Sequence, residues 1–369
     1  MSLARRPLRV VLLGDGQSPH LLKWARALAP RVELHVASSR GLAPALAALV
    51  APERTLLLGH DVKFSGGNVA LLKTLPRLAR WLRGVDADWI NAHYLTSHGT
   101  LAWLARKLGV RSRLAASAWG SDILVAPAQS RALRWVTSRV LRDATLCTSD
   151  SAHMASCMRE LGARDVMTFP FGLDALPAAP AAKEPLLFFA NRGLEDIYDP
   201  HRVLTLFASV AAAWPDARLV VANSGSMAEA LQRRAAELGL ADHIEFVGRL
   251  DAAAQSAFYA RARWYLSVPR SDSVSVSVLE AMAQGCIPLL SDLPANRELV
   301  RDGGNGLIVP DGQATLSATA LERLAANAVA IAVANREWVG TNALFGPSVD
   351  AFVARLEQSP LPSRSIAAR

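Results

Sequence analysis

The 369-residue chain is 51% hydrophobic and 20% charged, enough for two domains that each bury a core. Its 23 Gly and 20 Pro are near average usage, which excludes collagen-like and low-complexity classes, and its three cysteines (Cys147, Cys157, Cys286) cannot build a disulfide framework and match no metal-ligand spacing. The net charge of +8 is uneven: residues 1–173 carry 23 Lys+Arg against 11 Asp+Glu, or +12, and the remainder 17 against 21, or −4, so the first half is the one suited to meet something anionic.

The first expected element is a buried strand at 8–13, an apolar run that ends in Gly14-Asp15-Gly16. A helix follows, with Leu21, Leu22, Ala25 and Leu28 facing inward, and then a strand at 32–36. The alternation continues with strand 55–58, helix 68–83, strand 89–91, helix 99–108, strand 113–117, helix 130–142 and strand 144–148. Residues 174–185, rich in Ala and Pro, have the composition of a stiff linker. Beyond it come strand 186–190, helix 200–214, strand 218–222, helix 227–239, strand 244–247, helix 252–262, strand 264–268, helix 276–284 and strand 287–291, with a helical tail over 314–357. Strands alternating with helices predict βαβ units and parallel sheets, hence two doubly wound α/β domains, with ligands at the carboxyl ends of the strands in a cleft between them. The expected divisions are 1–173, linker 174–185, 186–340, and a tail 341–369 that returns to the first domain.

No apolar run approaches the roughly 18 residues of a membrane span. The cations Arg5, Arg6 and Arg9 are followed only by residues 10–13 before Gly14, too short for a signal-peptide core, so a cytoplasmic location is expected.

Three segments carry groups suited to chemistry. Gly14-Asp-Gly16 leaves a strand and enters a helix, where a backbone without side chains can approach a phosphate; Pro19 stands where a dinucleotide fingerprint has its third Gly. The stretch from Arg270 to Pro288 holds a Ser-rich loop (Asp272, Ser273, Ser275, Ser277) and then Leu-Glu280-Ala-Met-Ala-Gln-Gly285, a helix that starts near Ser275 or Ser277. Ser277-Val-Leu-Glu280 is also a capping box in which Glu280 is purely structural. In the first half, Asn-Ala-His93-Tyr and Ser-Ala-Trp119-Gly-Ser-Asp122 fall at strand ends; His93 reads equally as a core histidine and Asp122 as a helix N-cap.

The 272–280 spacing, followed by Ala-Met-Ala-Gln-Gly-Cys-Ile-Pro, resembles the E-x7-E signature of retaining GT-B glycosyltransferases, family 4 in particular, with Asp272 in place of the first Glu. The resemblance implies two Rossmann-like domains facing each other across a cleft and sugar transfer from a UDP- or GDP-linked donor to a glycan or lipid-linked acceptor, without a metal. Glu280 would hold the ribose, and Arg192, after Asn191 at the end of a strand, the diphosphate. Asp272 and the segment Ser273, Ser275 and Ser277 would hold sugar and phosphates. Gly16 would approach from the first domain, while Gly225 and Gly248 match further donor-side stretches. A family Lys is replaced by Ile197, with Arg202 or Arg249 as substitutes, and a family His by Trp119. That leaves His93 and Asp122 as the candidates to orient or deprotonate the acceptor hydroxyl, with His20 beside them.

The stretches 71–83 and 131–142 mix cations with Leu and Trp, as helices at an anionic membrane surface do, and equally as ordinary domain helices do. No motif supports nucleic-acid binding. Bacterial surface polysaccharide or lipopolysaccharide assembly is the pathway the resemblance implies. A nucleotide-sugar 2-epimerase of the same architecture and a non-catalytic GT-B subunit are the alternatives.

Overall fold

The computed structural model describes residues 6–60, 69–178 and 182–359. Arg5, the first position of the helix expected at 68–83, linker positions 179–181 and tail positions 360–369 lie outside the described residues. The chain divides into two compact units, Met1–Phe169 with Gly346–Arg369, and Pro170–Phe345.

In the first unit, seven parallel strands among the described residues form one sheet: β1 Arg9–Gly14, β2 Glu33–Ser38, β3 Thr55–Leu57, β4 Trp89–His93, β5 Arg113–Ser117, β6 Leu146–Ser149 and β7 Val166–Thr168, ordered β3-β2-β1-β4-β5-β6-β7. β1 pairs on both sides, Val10 with Leu34 and with Trp89, and Val10, Val11, Leu12 and Leu13 are wholly buried. That is why the segment is apolar without alternation: helices cover both faces of a parallel sheet. The expected helix at 68–83 is two helices, Val69–Leu72 and Leu75–Val85. Pro76 lacks an amide hydrogen and can only occupy a first turn, so a new helix starts at Thr74.

The second unit holds six parallel strands among the described residues: β8 Glu184–Ala190, β9 Arg218–Ala222, β10 Ile244–Gly248, β11 Ala262–Ser267, β12 Ile287–Ser291 and β13 Leu307–Val309, ordered β10-β9-β8-β11-β12-β13. Strand order reverses between β1 and β4 in the first sheet and between β8 and β11 in the second, the switch points beyond which such folds bind ligands. Each unit is a doubly wound Rossmann-like domain.

The tail comprises the helices Ala318–Ala326, Ala328–Asn342 and Phe345–Gln358. Trp338 packs in the second unit's core and Phe345 against Phe171, their ring centroids 4.9 Å apart. Phe352 instead meets Trp24 edge-on at 5.2 Å, and Asp350 pairs with Arg31 at 2.6 Å, so the last helix completes the first unit. Of the tail's aromatics Trp338, Phe345 and Phe352, Phe352 is the one that packs in the first unit.

Candidate functional site

In the second unit, the switch point brings the residues after β8 beside the loop after β11. Arg192 lies just past the end of β8; its guanidinium donates to Asp272 Oδ2 at 2.6 Å and to the Ser275 hydroxyl, and stacks over the Tyr198 ring at 4.5 Å. The side chains of Arg192 and Asp272 are 18% and 22% exposed, so this is not a surface salt bridge. Burial works against both charges. On Arg192 it is more than reversed by Asp272 together with Tyr265, Tyr198 and Tyr259, which hold the guanidinium firmly charged; on Asp272 burial pushes the carboxyl above its usual range, with Arg192 and the Ser273 amide pulling it back. At 2.6 Å in one fork the two form an ion pair.

The helix Val276–Ala283 begins with Ser275 as N-cap, but the Ser275 side chain makes no capping bond and accepts from Arg192 instead. The helix start is therefore lined by a guanidinium rather than closed by a hydroxyl, an arrangement suited to an anion. Ser277 lies inside the helix, so the capping box is not formed. Glu280 Oε2 accepts from Gln255 Nε2 at 3.0 Å and from the Tyr259 hydroxyl at 3.1 Å. Ser273 and Ser275 are buried at the loop and helix start.

Asn191 is buried between two phenols: Tyr265 Oη donates to its Oδ1 at 2.8 Å, and its Nδ2 donates to Tyr259 Oη at 2.7 Å. Gly225 packs so tightly that a Cβ would stand 2.3 Å from the Leu194 carbonyl oxygen, which is why glycine is required there. Gly248 closes β10, its carbonyl accepting the Asn223 amide at 2.6 Å. Arg202 is engaged elsewhere: its guanidinium donates to the carbonyls of Val309 (3.2 Å) and Pro310 (2.5 Å). Arg249 is exposed beyond β10. The cation held against the Ile197 turn is Arg270, which pairs with Asp196 at 3.1 Å and Asp199 at 3.2 Å.

In the first unit, the ends of β4 and β5 gather the expected acceptor-side residues. Asp122 is wholly buried and accepts the Leu95 amide at 2.8 Å and the Trp119 amide at 3.0 Å. It sits in the first turn of the helix Ser121–Leu124, whose N-cap is Gly120, and its carboxylate ties two strand-end loops together. Burial raises its pKa, and the backbone hydrogen bonds oppose the rise. His93, also wholly buried, accepts the Trp119 indole N–H at 3.0 Å; burial holds it neutral, with a pKa pushed down to about 3. His20 is exposed and lies edge-on to Trp119, ring centroids 5.1 Å apart. Gly16 donates to Ser38 Oγ at 2.8 Å, and a Cβ there would crowd Leu42, the Gly41 carbonyl and Ser38. His98, which sequence reasoning passed over, is buried beneath them with its Nδ1 3.0 Å from the His93 carbonyl and a pKa pushed down to about 4 by burial.

The two histidines make the first unit acid-sensitive. Each is protonated near pH 6.5 when unfolded but resists protonation when folded, so the unfolded state binds more protons below that pH and stability falls as pH drops from about 6.5 toward 4. Between pH 7 and pH 5 the loss is about 2 kcal/mol per histidine. Urea denaturation at the two pH values checks it; the double variant His93→Gln, His98→Gln should flatten the dependence, and an unchanged slope would refute it.

Sequence reasoning also missed Tyr259, Tyr265 and Gln255. One signal was available: the chain has only four tyrosines, and Tyr94, Tyr198, Tyr259 and Tyr265 all stand at the two strand-end clusters.

Two Rossmann-like units, each built on a parallel sheet, the second with an arginine at the first strand end and an acidic pair bracketing a helix start, define a GT-B glycosyltransferase. Comparison with known proteins agrees: residues 9–151 match the family model "Glycosyl transferase 4-like" and residues 177–340 match "Glycosyl transferases group 1". The chain belongs to the group 1, family 4 glycosyltransferases. It is 29% identical over 329 residues to the phosphatidyl-myo-inositol mannosyltransferase of Mycobacterium leprae, covering 85% of this chain and 84% of that protein. It is also 29% identical, over 41% of this chain and 40% of the relative, to the GDP-mannose:cellobiosyl-diphosphopolyprenol alpha-mannosyltransferase of Xanthomonas campestris. Its fold is similar to that of Anabaena HepE in complex with UDP and glucose, with a TM-score of 0.75 at 15% identity over 95% of this chain and all of that one. It is also similar to that of sucrose-phosphate synthase from Thermosynechococcus elongatus, with a TM-score of 0.71 at 17% identity over 96% of this chain and 99% of that one.

Proposed function

We propose that this glycosyltransferase moves a hexose, mannose in the first instance, from a GDP-linked donor to a hydroxyl of a lipid-linked acceptor, with retention at the anomeric carbon. The observation that carries the reading is Arg192, held by Asp272 and Ser275 at the uncapped start of the helix Val276–Ala283, with Glu280 further along it. A donor diphosphate set on that helix start meets the amides and the guanidinium together, and its growing negative charge as the glycosidic bond breaks is balanced by both. Glu280 accepts the ribose hydroxyls. Asp272 and the Ser273–Ser275 segment face the transferred sugar. No metal enters this reading, because the cation and the helix dipole do that work.

In the first unit, Asp122 and His93 act by fixing the loop that carries Trp119, with Trp119 and His20 presenting the acceptor side. The choice of GDP-mannose and a lipid-linked acceptor is supported by the names of the mycobacterial and Xanthomonas relatives, and surface polysaccharide or lipopolysaccharide assembly is the setting that fits such an acceptor. Access to it would be aided by contact with the inner, anionic face of the cytoplasmic membrane. On the helix Arg131–Asp143, Trp135 is 52% exposed with the Arg139 guanidinium over its ring at 5.3 Å, and Arg131 and Arg134 precede it. No described helix is long and apolar enough to cross a membrane. The relatives reported above are transferases, so neither the epimerase nor the non-catalytic subunit gains support.

Ligand-induced thermal stabilisation with UDP, GDP, CMP, ADP, NAD and the common sugar conjugates tests the donor, since a binder of the native state raises the melting temperature by mass action. GDP and GDP-mannose are expected to give the largest shifts. A shift only with UDP compounds would move the donor assignment, and none with any nucleotide would favour a non-catalytic subunit. The configuration of the new glycosidic bond, read by proton NMR, tests retention.

A further inference from the structure

The buried groups behind the donor site form a chain with only one possible polarity. An ionised Glu280 can only accept, so the Tyr259 hydroxyl, 3.1 Å away, must donate to it. With its hydrogen committed, Tyr259 can only accept from Asn191, which fixes that amide with Nδ2 toward it at 2.7 Å. The Asn191 carbonyl oxygen then faces Tyr265, whose hydroxyl donates at 2.8 Å. Asn191, Tyr259 and Tyr265 are 4%, 2% and 0% exposed, packed among Phe189, Phe258 and aliphatic side chains, with the Ser277 side chain hydrogen-bonded to both phenols and that of Ser267 to Tyr265. Three polar groups in such a core are costly unless every one is satisfied, and here the chain satisfies them in a single orientation.

The end of the chain is what it acts on. A glutamate's terminal torsion is broad, so a carboxylate on a helix surface samples many rotations. Here Oε2 receives two donors from different elements, Tyr259 from one side and Gln255, at 3.0 Å, from the other. Those two bonds fill the in-plane positions of one oxygen and set the plane of the group before any nucleoside arrives. At its other end the chain begins beside Arg192, the next residue after Asn191, so one buried network holds both the ribose-facing and the diphosphate-facing groups in register.

We propose that Tyr265, Asn191 and Tyr259 are positioning residues for the donor nucleoside: they orient the Glu280 carboxylate so that it discriminates a ribose carrying both its 2′- and 3′-hydroxyls. The inference rests on the assignment of Glu280 to the donor ribose, and deepens it. Tyr259→Phe keeps the ring in its aromatic packing and removes only the hydroxyl, taking one of the two donors from Oε2 and loosening the carboxylate. Tyr265→Phe frees the Asn191 amide to turn, one link further back.

Calorimetric titration with GDP and UDP, each beside its 2′,3′-dideoxy counterpart, reads the effect directly. The wild type should prefer the ribonucleotide by about 10² to 10³-fold, the worth of two hydrogen bonds to a charged group. In Tyr259→Phe the ribonucleotide should weaken by about tenfold and the dideoxy compound by less than about twofold, so the preference shrinks by about tenfold. Tyr265→Phe should move the same way by about threefold. Turnover at saturating donor should stay within about threefold of wild type, placing the loss in KM rather than kcat. If the Tyr259 variant does not fold, Gln255→Ala, on the half-exposed side of Glu280, removes the other donor and should shrink the same ratio. A Tyr259→Phe protein that keeps the full preference, or loses both nucleotides equally as a merely structural residue would, overturns the inference alone. A wild type indifferent to the ribose hydroxyls overturns the Glu280 assignment and the inference with it.

Discussion

Arg192→Ala is expected to lower kcat by a factor of about 10² to 10³, the usual cost of removing one preorganised group that stabilises a leaving-group charge. The structure makes the loss worse than a missing cation. Asp272 is buried against Arg192 at 2.6 Å, and without its partner a carboxylate faces the helix start to which the proposed function assigns the diphosphate. Donor affinity should therefore fall together with turnover. Arg192→Lys keeps the charge but not the fork that reaches Asp272 and Ser275 at once, nor the flat face over Tyr198, and should recover less than about a tenth of the activity. In the double variant Arg192→Ala, Asp272→Asn, donor binding should partly return while kcat stays low, which separates repulsion by Asp272 from loss of leaving-group stabilisation. Steady-state kinetics with varied donor measure all three proteins. An Arg192→Ala enzyme within about threefold of wild-type kcat would show that the pair only holds the loop.

The fold was legible because parallel strands buried on both faces declare themselves as short apolar runs separated by helical periods, and the run at 8–13 became β1 with only its first residue outside the strand. What escaped is equally physical. β7 Val166–Thr168 and β13 Leu307–Val309 are three residues each, too short for any period to show. The break at Pro76 was written in the sequence, but the continuous run of Leu and Arg around it outweighed the proline. The helical tail was visible as helix and not as three helices, because its joins at Asn327 and Ala343–Leu344 carry neither Gly nor Pro.

At the site, two of the residues that sequence reasoning singled out around 270–280, Asp272 and Ser275, meet Arg192, while Glu280 meets Gln255 and Tyr259. Asp122 and His93 were legible only in part. Their positions at strand ends were foreseen, but their burial and their partners, the amides of Leu95 and Trp119 and the indole of Trp119, depend on how two loops pack. Tyr259 belongs with them: its partners Asn191 and Glu280 are 68 and 21 residues away, and no local pattern joins the three. The capping box at Ser277 was a sound local reading that tertiary structure overruled, because the helix opens two residues earlier and brings Ser275 to Arg192.

That displaced helix start decides what to expect of Glu280→Ala. Had Glu280 capped the helix, its loss would be a matter of stability, around 1 kcal/mol and no more. As it stands, the carboxylate receives Gln255 and Tyr259 and is only half buried, so its removal strands two donors at a cost of about 1–3 kcal/mol, or some 2–12 °C in melting temperature for a domain of this size. The effect on the nucleotide should be far larger. Two charge-assisted hydrogen bonds to ribose hydroxyls are worth about 3–5 kcal/mol together, so affinity for the nucleoside diphosphate should drop about 10² to 10³-fold. Glu280→Gln keeps the shape but turns an acceptor-only group into one that presents an N–H₂ toward Gln255, Tyr259 or the sugar; it should weaken binding by about tenfold with little change in melting temperature. Calorimetry for affinity and differential scanning for stability, on the same preparations, separate the two roles. A variant that melts early yet binds nucleotide normally would return Glu280 to a structural part. One that melts near wild type and no longer binds would fix it as the group that recognises the donor, and would place the loop 270–275 and Arg192 around a diphosphate rather than around each other.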